Sequence, residues 1–430
     1  MSAILVPIRF SQVSGKHFGE RLEILKELFA KEAEFLPPIN LGDPVPEADA
    51  AVLPILPAEA YVQTKALNAV GLPLFGITGA HGARSMWDWE IATYLRAEGV
   101  DLYTPYDIEL SKVLIRTAAL KRKIKSTRFL IWKDVAQGGF YWYTDECARR
   151  MKERFGIEII YSSYSNLCQM ARDIPDEAAR IAAKGKVILK EDVRGGRLLS
   201  AFKLYMAMER QIRETGNIVG IGCNCLNESR FTDTSPCLAF ALLNRELGVK
   251  VVCEADTISL LTEYIAETAI GKGSFSTNIY PFLMGPAAVK HEKISEFPKV
   301  ERPEDHALLV HCGYLGLIPE NIASSWVLRP SVLGMLDENA VMIDGEIPAG
   351  DISLVKLHSS FDRWLLSTAE LVGYARYPGS DCRCGGMVRL KNGHEFMEHV
   401  YSHHITVMPG KYVPYLKLAG RLLGLRSECC

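Results

Sequence analysis

The sequence predicts an α/β protein: two doubly wound parallel-sheet domains followed by a β-rich, barrel-like C-terminal domain. Three observations carry this expectation. Strand-like runs alternate with helical patterns through the first part of the chain, which implies parallel sheets. The alternation restarts after a basic helical stretch, "LIRTAALKRKIKS", which implies a second α/β unit. Beyond residue 300 the runs become short, β-rich and punctuated by Gly, Pro and Asp, which implies an antiparallel sheet or small barrel. The expected domains are 1–125, 126–300 and 301–430.

Taken in order, "AILVPIRF" opens the first domain as a strand, and "GERLEILKELFAKEAEF" has apolar residues at helical spacing. "PPINLGDPVPEADA" is a Pro-rich connection, "AAVLPIL" and "LPLFGIT" are further buried strands, and "SMWDWEIATYLRAEG" is a helix ending at Gly99. In the second domain "RFLIW", "IEIIYS", "NIVGIG" and "VKVVC" are strands, while "YTDECARRMKERFG" and "PCLAFALLNRELG" are helices. "EFPKVERPED" is the linker to the third domain. There "ALLVHCG", "AVMIDGEI", "DISLVKLH", "LVGYARY" and "GGMVRL" are short strands and "YVPYLKLAGRLLGL" is a closing helix.

Composition narrows the function classes. A chain of 430 residues exceeds one ordinary core. With 48% hydrophobic and 23% charged residues it has the profile of a soluble globular protein. The net charge of -2 gives no basic field for nucleic acid. No apolar run reaches bilayer length, so no membrane partner is expected. "MSAILVPIRF" lacks a charged n-region and a cleavage site, so a cytoplasmic location is expected. Eleven Cys residues in such a chain are expected to be reduced thiols.

Candidate chemistry gathers at strand ends, because ligands bind outside the carboxyl ends of strands in open α/β sheets. "NIVGIGCNCLNE" reaches Glu228, and "VKVVCEAD" reaches Glu254 and Asp256. Asp256 also fits the N-cap of the helix "TISLLTEYI". Near the C-terminus, "HVYSHHITVMPG" crowds His399, His403 and His404. Adjacent residues of a strand point to opposite faces, so only one of His403 and His404 is expected to face a given site. His311 and His358 end apolar runs and are candidate substrate contacts, as is Trp87 in "MWDWE", whose indole could stack on a sugar. Carboxylates with imidazole, without a tight Cys motif, suit a hard or borderline divalent ion. Cys223, Cys225 and Cys237, or Cys382 and Cys384, would be the alternative zinc ligands, but C-x-C spacing without a second pair argues against them. No nucleotide-binding, serine-hydrolase or zinc-protease motif is present; the Gly-rich "GITGAHGARS" lacks dinucleotide spacing.

The order "CNCLNE", "PCL", "CEAD", "VHCG", "SHHITVMPG" and a closing "LGL" resembles the L-fucose isomerase and L-arabinose isomerase superfamily, and is closer to the fucose isomerase side. The resemblance covers the chain from about residue 215 to the end. It implies Mn²⁺, with Mg²⁺ or another divalent ion as the alternative, bound by Glu228, Asp256 and one of His403 and His404. His358 in "LVKLH" could add a ligand. It further implies a homo-oligomer, trimeric or hexameric, acting on a small-molecule sugar. The expected activity is aldose–ketose isomerisation of a pentose or 6-deoxyhexose through an enediolate, with Glu228 and Asp256 as the acid/base pair. Glu254 is expected to face away or to support the site from behind. A non-catalytic sugar-binding or regulatory protein, or a metal-dependent sugar epimerase, is the alternative.

Overall fold

The near-continuous apolar run of the first strand, "AILVPI", dictates a sheet covered on both faces, and that is how the N-terminal region folds. The computed structural model describes residues 2–134, 140–184, 195–225, 234–287, 298–311, 314–330, 340–377 and 383–430. Strands β1 (Ala3–Arg9), β2 (Ala33–Phe35), β3 (Ile39–Asn40), β4 (Ala50–Leu53), β5 (Leu74–Gly76) and β6 (Leu102–Tyr103) form a parallel sheet in the order β2-β1-β4-β5-β6, with β3 also on β1. Leu5 packs on one face with Leu25, Phe29, Leu114 and Ala118. Its neighbour Val6 packs on the other with Leu67, Ile91 and Leu95. The helical pattern of "GERLEILKELFAKEAEF" divides here: the helix Gly15–Leu28 stops, and Ala33 to Phe35 pair with Ala3 to Leu5. Strand pairing satisfies that backbone, and local periodicity does not reveal it.

A second parallel sheet contains β7 (Arg128–Trp132), β8 (Glu158–Ser162), β9 (Ile218–Cys223) and β10 (Lys250–Cys253), ordered β10-β9-β7-β8. The remaining strands are β11 (Phe275–Pro281), β12 (His306–Val310), β13 (Ser325–Pro330), β14 (Val341–Glu346), β15 (Gly350–Leu357), β16 (Arg363–Arg376), β17 (Cys384–Leu390), β18 (His404–Pro409) and β19 (Arg426–Cys429). The order β15-β18-β11-β12-β17-β16, closed by β15 on β16, is a six-stranded antiparallel barrel. Closure removes the free edges that an open sheet would expose. Strand β19 adds to β16 in parallel, and β13–β14 form a separate hairpin.

Contacts divide the chain into two units. One comprises Met1–Lys125, Thr268–Ile270 and Pro414–Leu425, the other Ser126–Glu267, Gly271–Val413 and Arg426–Cys430. In the second unit one apolar cluster runs from Leu130, Ile221 and Val251 of the parallel sheet to Phe275, Leu309 and Leu354 of the barrel. The helix Thr257–Ile270 is buried along most of its length. It lies so close to β9 that a Cβ on Gly220 would come within 2.8 Å of Leu260. Its Thr262 hydroxyl accepts the Leu357 N–H at 3.1 Å, which ties the helix to β15. A helix buried on nearly every side must satisfy its own polar residues internally. No described helix is long and apolar enough to cross a membrane.

Candidate metal centre

The link from β10 to the buried helix decides the site. Glu254 and Ala255 both adopt a left-handed backbone, each with φ 52°. For residues with a Cβ this conformation costs about 1–2 kcal/mol each. Surrounding bonds hold the turn: Ala255 N–H donates to Cys223 O at 3.1 Å, and the Trp142 indole N–H donates to Glu254 O at 3.1 Å. Thr257 returns a hydroxyl to Trp142 O at 2.9 Å. The turn brings the Glu254 carboxylate 3.6 Å from His404 Nε2 and 3.8 Å from His403 Nε2. Among the described residues, Glu254, His403 and His404 are the group able to hold a metal, with one ligand atom from each all within 4.8 Å of one another.

Asp256 plays a different part. Its Oδ1 accepts the N–H groups of Ile258 at 3.0 Å and Ser259 at 2.9 Å, the N-cap role legible in the sequence. Its Oδ2 accepts the Ser259 hydroxyl at 2.7 Å, the Lys356 ammonium at 2.8 Å and His404 Nδ1–H at 2.9 Å. These five donors occupy both oxygens, and Asp256 is 1% exposed. It therefore fixes the His404 ring from behind, while Glu254 takes the place beside the ring that was expected for Asp256. Lys356, 2% exposed, also reaches the Ser259 hydroxyl at 2.6 Å. A lone cation could not be buried so deeply; the carboxylate makes its position tenable.

The expectation that only one of the two histidines faces the site is corrected. Strand β18 begins at His404, and His403 sits on the bend before it, so strand alternation does not apply to the pair. The two rings lie 4.3 Å apart between centroids. His404 is 3% exposed, whereas the His403 side chain is 41% exposed and forms the open side. Trp142 stacks on Phe140 at 4.5 Å and faces both imidazoles, at 5.8 Å from His403 and 5.4 Å from His404. Sequence reasoning missed this aromatic wall; its only signal was the density of rings in "FYWYTDE".

Electrostatics follow from burial and pairing. Burial pushes the Glu254 carboxyl up, but contacts with His403 and His404 outweigh it and hold the group well below the usual carboxylate range. Asp256 behaves alike: burial opposes ionisation, and Lys356 and His404 more than reverse it. Burial would neutralise His404, yet Asp256 and Glu254 raise its pKa. His404 Nε2 is buried with no hydrogen-bond partner. His311, buried 5.6 Å from the His404 ring, is pushed down to about 4 by burial, so it is neutral at pH 7.

The other candidates are placed as follows. Glu228 and Cys382 lie outside the described residues. His358 is engaged elsewhere: Nδ1 meets the Ser360 hydroxyl at 2.6 Å and Nε2 meets Arg363 at 3.2 Å. Trp87 is 82% exposed on the N-terminal unit. His399 lies at the end of a short helix, with Nδ1 on Glu395 O at 2.7 Å. Cys225 and Cys253 are buried with their sulfurs 3.2 Å apart, and no Cys joins the candidate metal group among the described residues.

One carboxylate with two imidazoles suits a divalent transition-metal ion better than Mg²⁺ or Ca²⁺, which favour all-oxygen ligand sets. An imidazole held at Nδ1 by a carboxylate, with Nε2 left toward a second carboxylate, is the arrangement that orients a metal-ligating histidine. The chain was compared with protein-family models and with curated proteins, and neither comparison finds a match.

Proposed function

We propose that the chain is a metal-dependent aldose–ketose isomerase acting on a pentose or 6-deoxyhexose, with Glu254, His403 and His404 as ligands of a divalent ion, Mn²⁺ foremost. The observation that carries this reading is the buried, unpartnered Nε2 of His404, whose ring is fixed by Asp256 and faces Glu254. A divalent ion held there would polarise the carbonyl and neighbouring hydroxyl of a sugar. The chain's own residues do the rest. Asp256 keeps His404 in the tautomer with its proton on Nδ1. Trp142 and Phe140 offer an apolar wall to the carbon-bound hydrogens of a sugar. His311, neutral at pH 7, can accept a proton or donate a hydrogen bond to a hydroxyl. With both oxygens of Asp256 engaged, Glu228 is the carboxylate proposed to move the proton between the two carbons.

A non-catalytic sugar-binding protein is the second reading, favoured by the same saturation of Asp256, which leaves no open lone pair for proton transfer. One experiment separates the two. Metal-free protein is titrated with Mn²⁺ by calorimetry, and pentoses and 6-deoxyhexoses are then tested for ketose formation. The isomerase reading expects one ion per chain, loss of that ion in Glu254→Gln and His404→Gln, and turnover abolished in Glu228→Gln. Sugar binding without turnover selects the second reading. Mn²⁺ binding unchanged in both ligand variants overturns the site.

A further inference from the structure

Three arginines of the N-terminal unit meet beside β6 without an acidic ion-pair partner among the described residues. Arg84 comes from the Gly-rich segment "GITGAHGARS" after β5, Arg96 from the helix Trp89–Ala97 and Arg421 from the helix Val413–Leu423. Arg96 Nε and Arg421 Nη2 donate to the same carbonyl, Leu102 O, at 3.0 and 3.3 Å. Arg84 Nη1 donates to the Thr104 hydroxyl at 3.2 Å, and Arg96 Nη2 donates to that same hydroxyl. Aromatic faces hold the outer two: Arg84 lies over Trp89 at 4.9 Å and Arg421 over Tyr103 at 4.5 Å.

Among the described residues none of the three arginines has an ion pair within 4 Å, although Asp101 and Arg421 both act on the Tyr103 hydroxyl. Asp88 is taken by the Thr78 hydroxyl. Arg84 Nε is buried without an acceptor. Burial, then the charges of Arg421 and Arg84, hold Arg96 below the usual guanidinium range. Arg421 gains from its place in the last turn of its helix. A hydroxyl and a carbonyl do not neutralise three cations, however; Arg84 and Arg96 are half-buried and Arg421 is exposed, so water screens part of their repulsion, and an anion joining them would relieve the rest.

We propose that Arg84, Arg96 and Arg421 form a binding site for a dianionic tetrahedral group: the phosphoryl group of a phosphate monoester, or inorganic phosphate. Three guanidiniums exceed what one carboxylate neutralises, and their planar donor forks match phosphate oxygens. Thr104 lies just past the carboxyl end of β6, the edge at which open parallel sheets bind ligands. The proposal is independent of the metal centre, which lies in the other unit.

The test uses the full chain freed of divalent ions with EDTA, in buffers of matched ionic strength. Sodium phosphate, sodium sulfate and ribose 5-phosphate are titrated by calorimetry, with sodium chloride as control. Saturable binding of one phosphate per chain is expected, weakened at least tenfold in Arg84→Gln and in Arg421→Gln. Arg84→Lys keeps the charge but loses the fork, and is expected to fall between wild type and Arg84→Gln. Ribose 5-phosphate binding more than tenfold tighter than phosphate assigns the site to a phosphorylated metabolite; equal binding assigns it to the free ion. The proposal is overturned if no probe binds above the chloride control, or if both Gln variants, folded by circular dichroism, bind as wild type does.

Discussion

Asp256→Asn separates holding a histidine from holding a metal. The side chain keeps its shape, and the amide oxygen can still cap the helix through the Ile258 and Ser259 N–H groups. The amide nitrogen, though, would confront three donors: the Ser259 hydroxyl, which can rotate away, and the Lys356 ammonium and His404 Nδ1–H, which cannot avoid it as they stand. Lys356 would then retain only the Ser259 hydroxyl in a position 2% exposed. Removing one partner of a buried pair costs about 3–5 kcal/mol. His404 escapes the clash by moving its proton to Nε2, the atom that faces Glu254, and this opposes metal binding. Loss of such an orienting carboxylate lowers metal affinity by about 10–100-fold. The double variant Asp256→Asn with Lys356→Met removes the stranded cation, so it should regain most of the stability and none of the affinity. Urea denaturation of the metal-free chains and Mn²⁺ calorimetry measure the two quantities separately. Wild-type Mn²⁺ affinity in the single variant refutes the orienting role. A loss well beyond a hundredfold would instead make Asp256 a ligand.

Three further outcomes are expected. Glu263 is 2% exposed with Oε1 unpartnered, and burial, then the charge of Glu267, pushes its pKa from 4.5 up to about 8. Because the folded state holds this proton more tightly, the penalty is absent below pH 4.5, grows as pH rises and levels off above 8. Glu263→Gln should therefore gain stability over wild type across that window, at up to about 1.4 kcal/mol per pH unit; a pH-independent difference in urea melts contradicts the shift. Gly220→Ala, which drives a methyl against Leu260 at 2.8 Å, should cost about 1–3 kcal/mol in the same assay, and a neutral result would mean the helix can retreat. Mn²⁺ at a hundredfold above its dissociation constant should stabilise the chain by about 2.7 kcal/mol, visible as a rise in melting temperature that EDTA reverses; His404→Gln should abolish that rise.

The sequence by itself determined the layer architecture. Runs such as "AILVPIR" and "VKVVC" are short, apolar and bounded by turns, and the punctuated C-terminal runs imply an antiparallel sheet or small barrel. It also determined that Asp256 caps the helix, because that signal is local, and it singled out His403 and His404, which the structure brings beside Glu254. Only the tertiary structure decided which acid stands beside the histidines. That choice turns on two left-handed residues, Glu254 and Ala255, whose conformation is enforced by bonds from Cys223 and Trp142. It turns equally on Lys356, which reads as one more strand residue in "DISLVKLH" until the barrel closes and brings it to Asp256. A carboxylate's role is set by which donors reach it, and those donors arrive from chain segments that no local pattern connects.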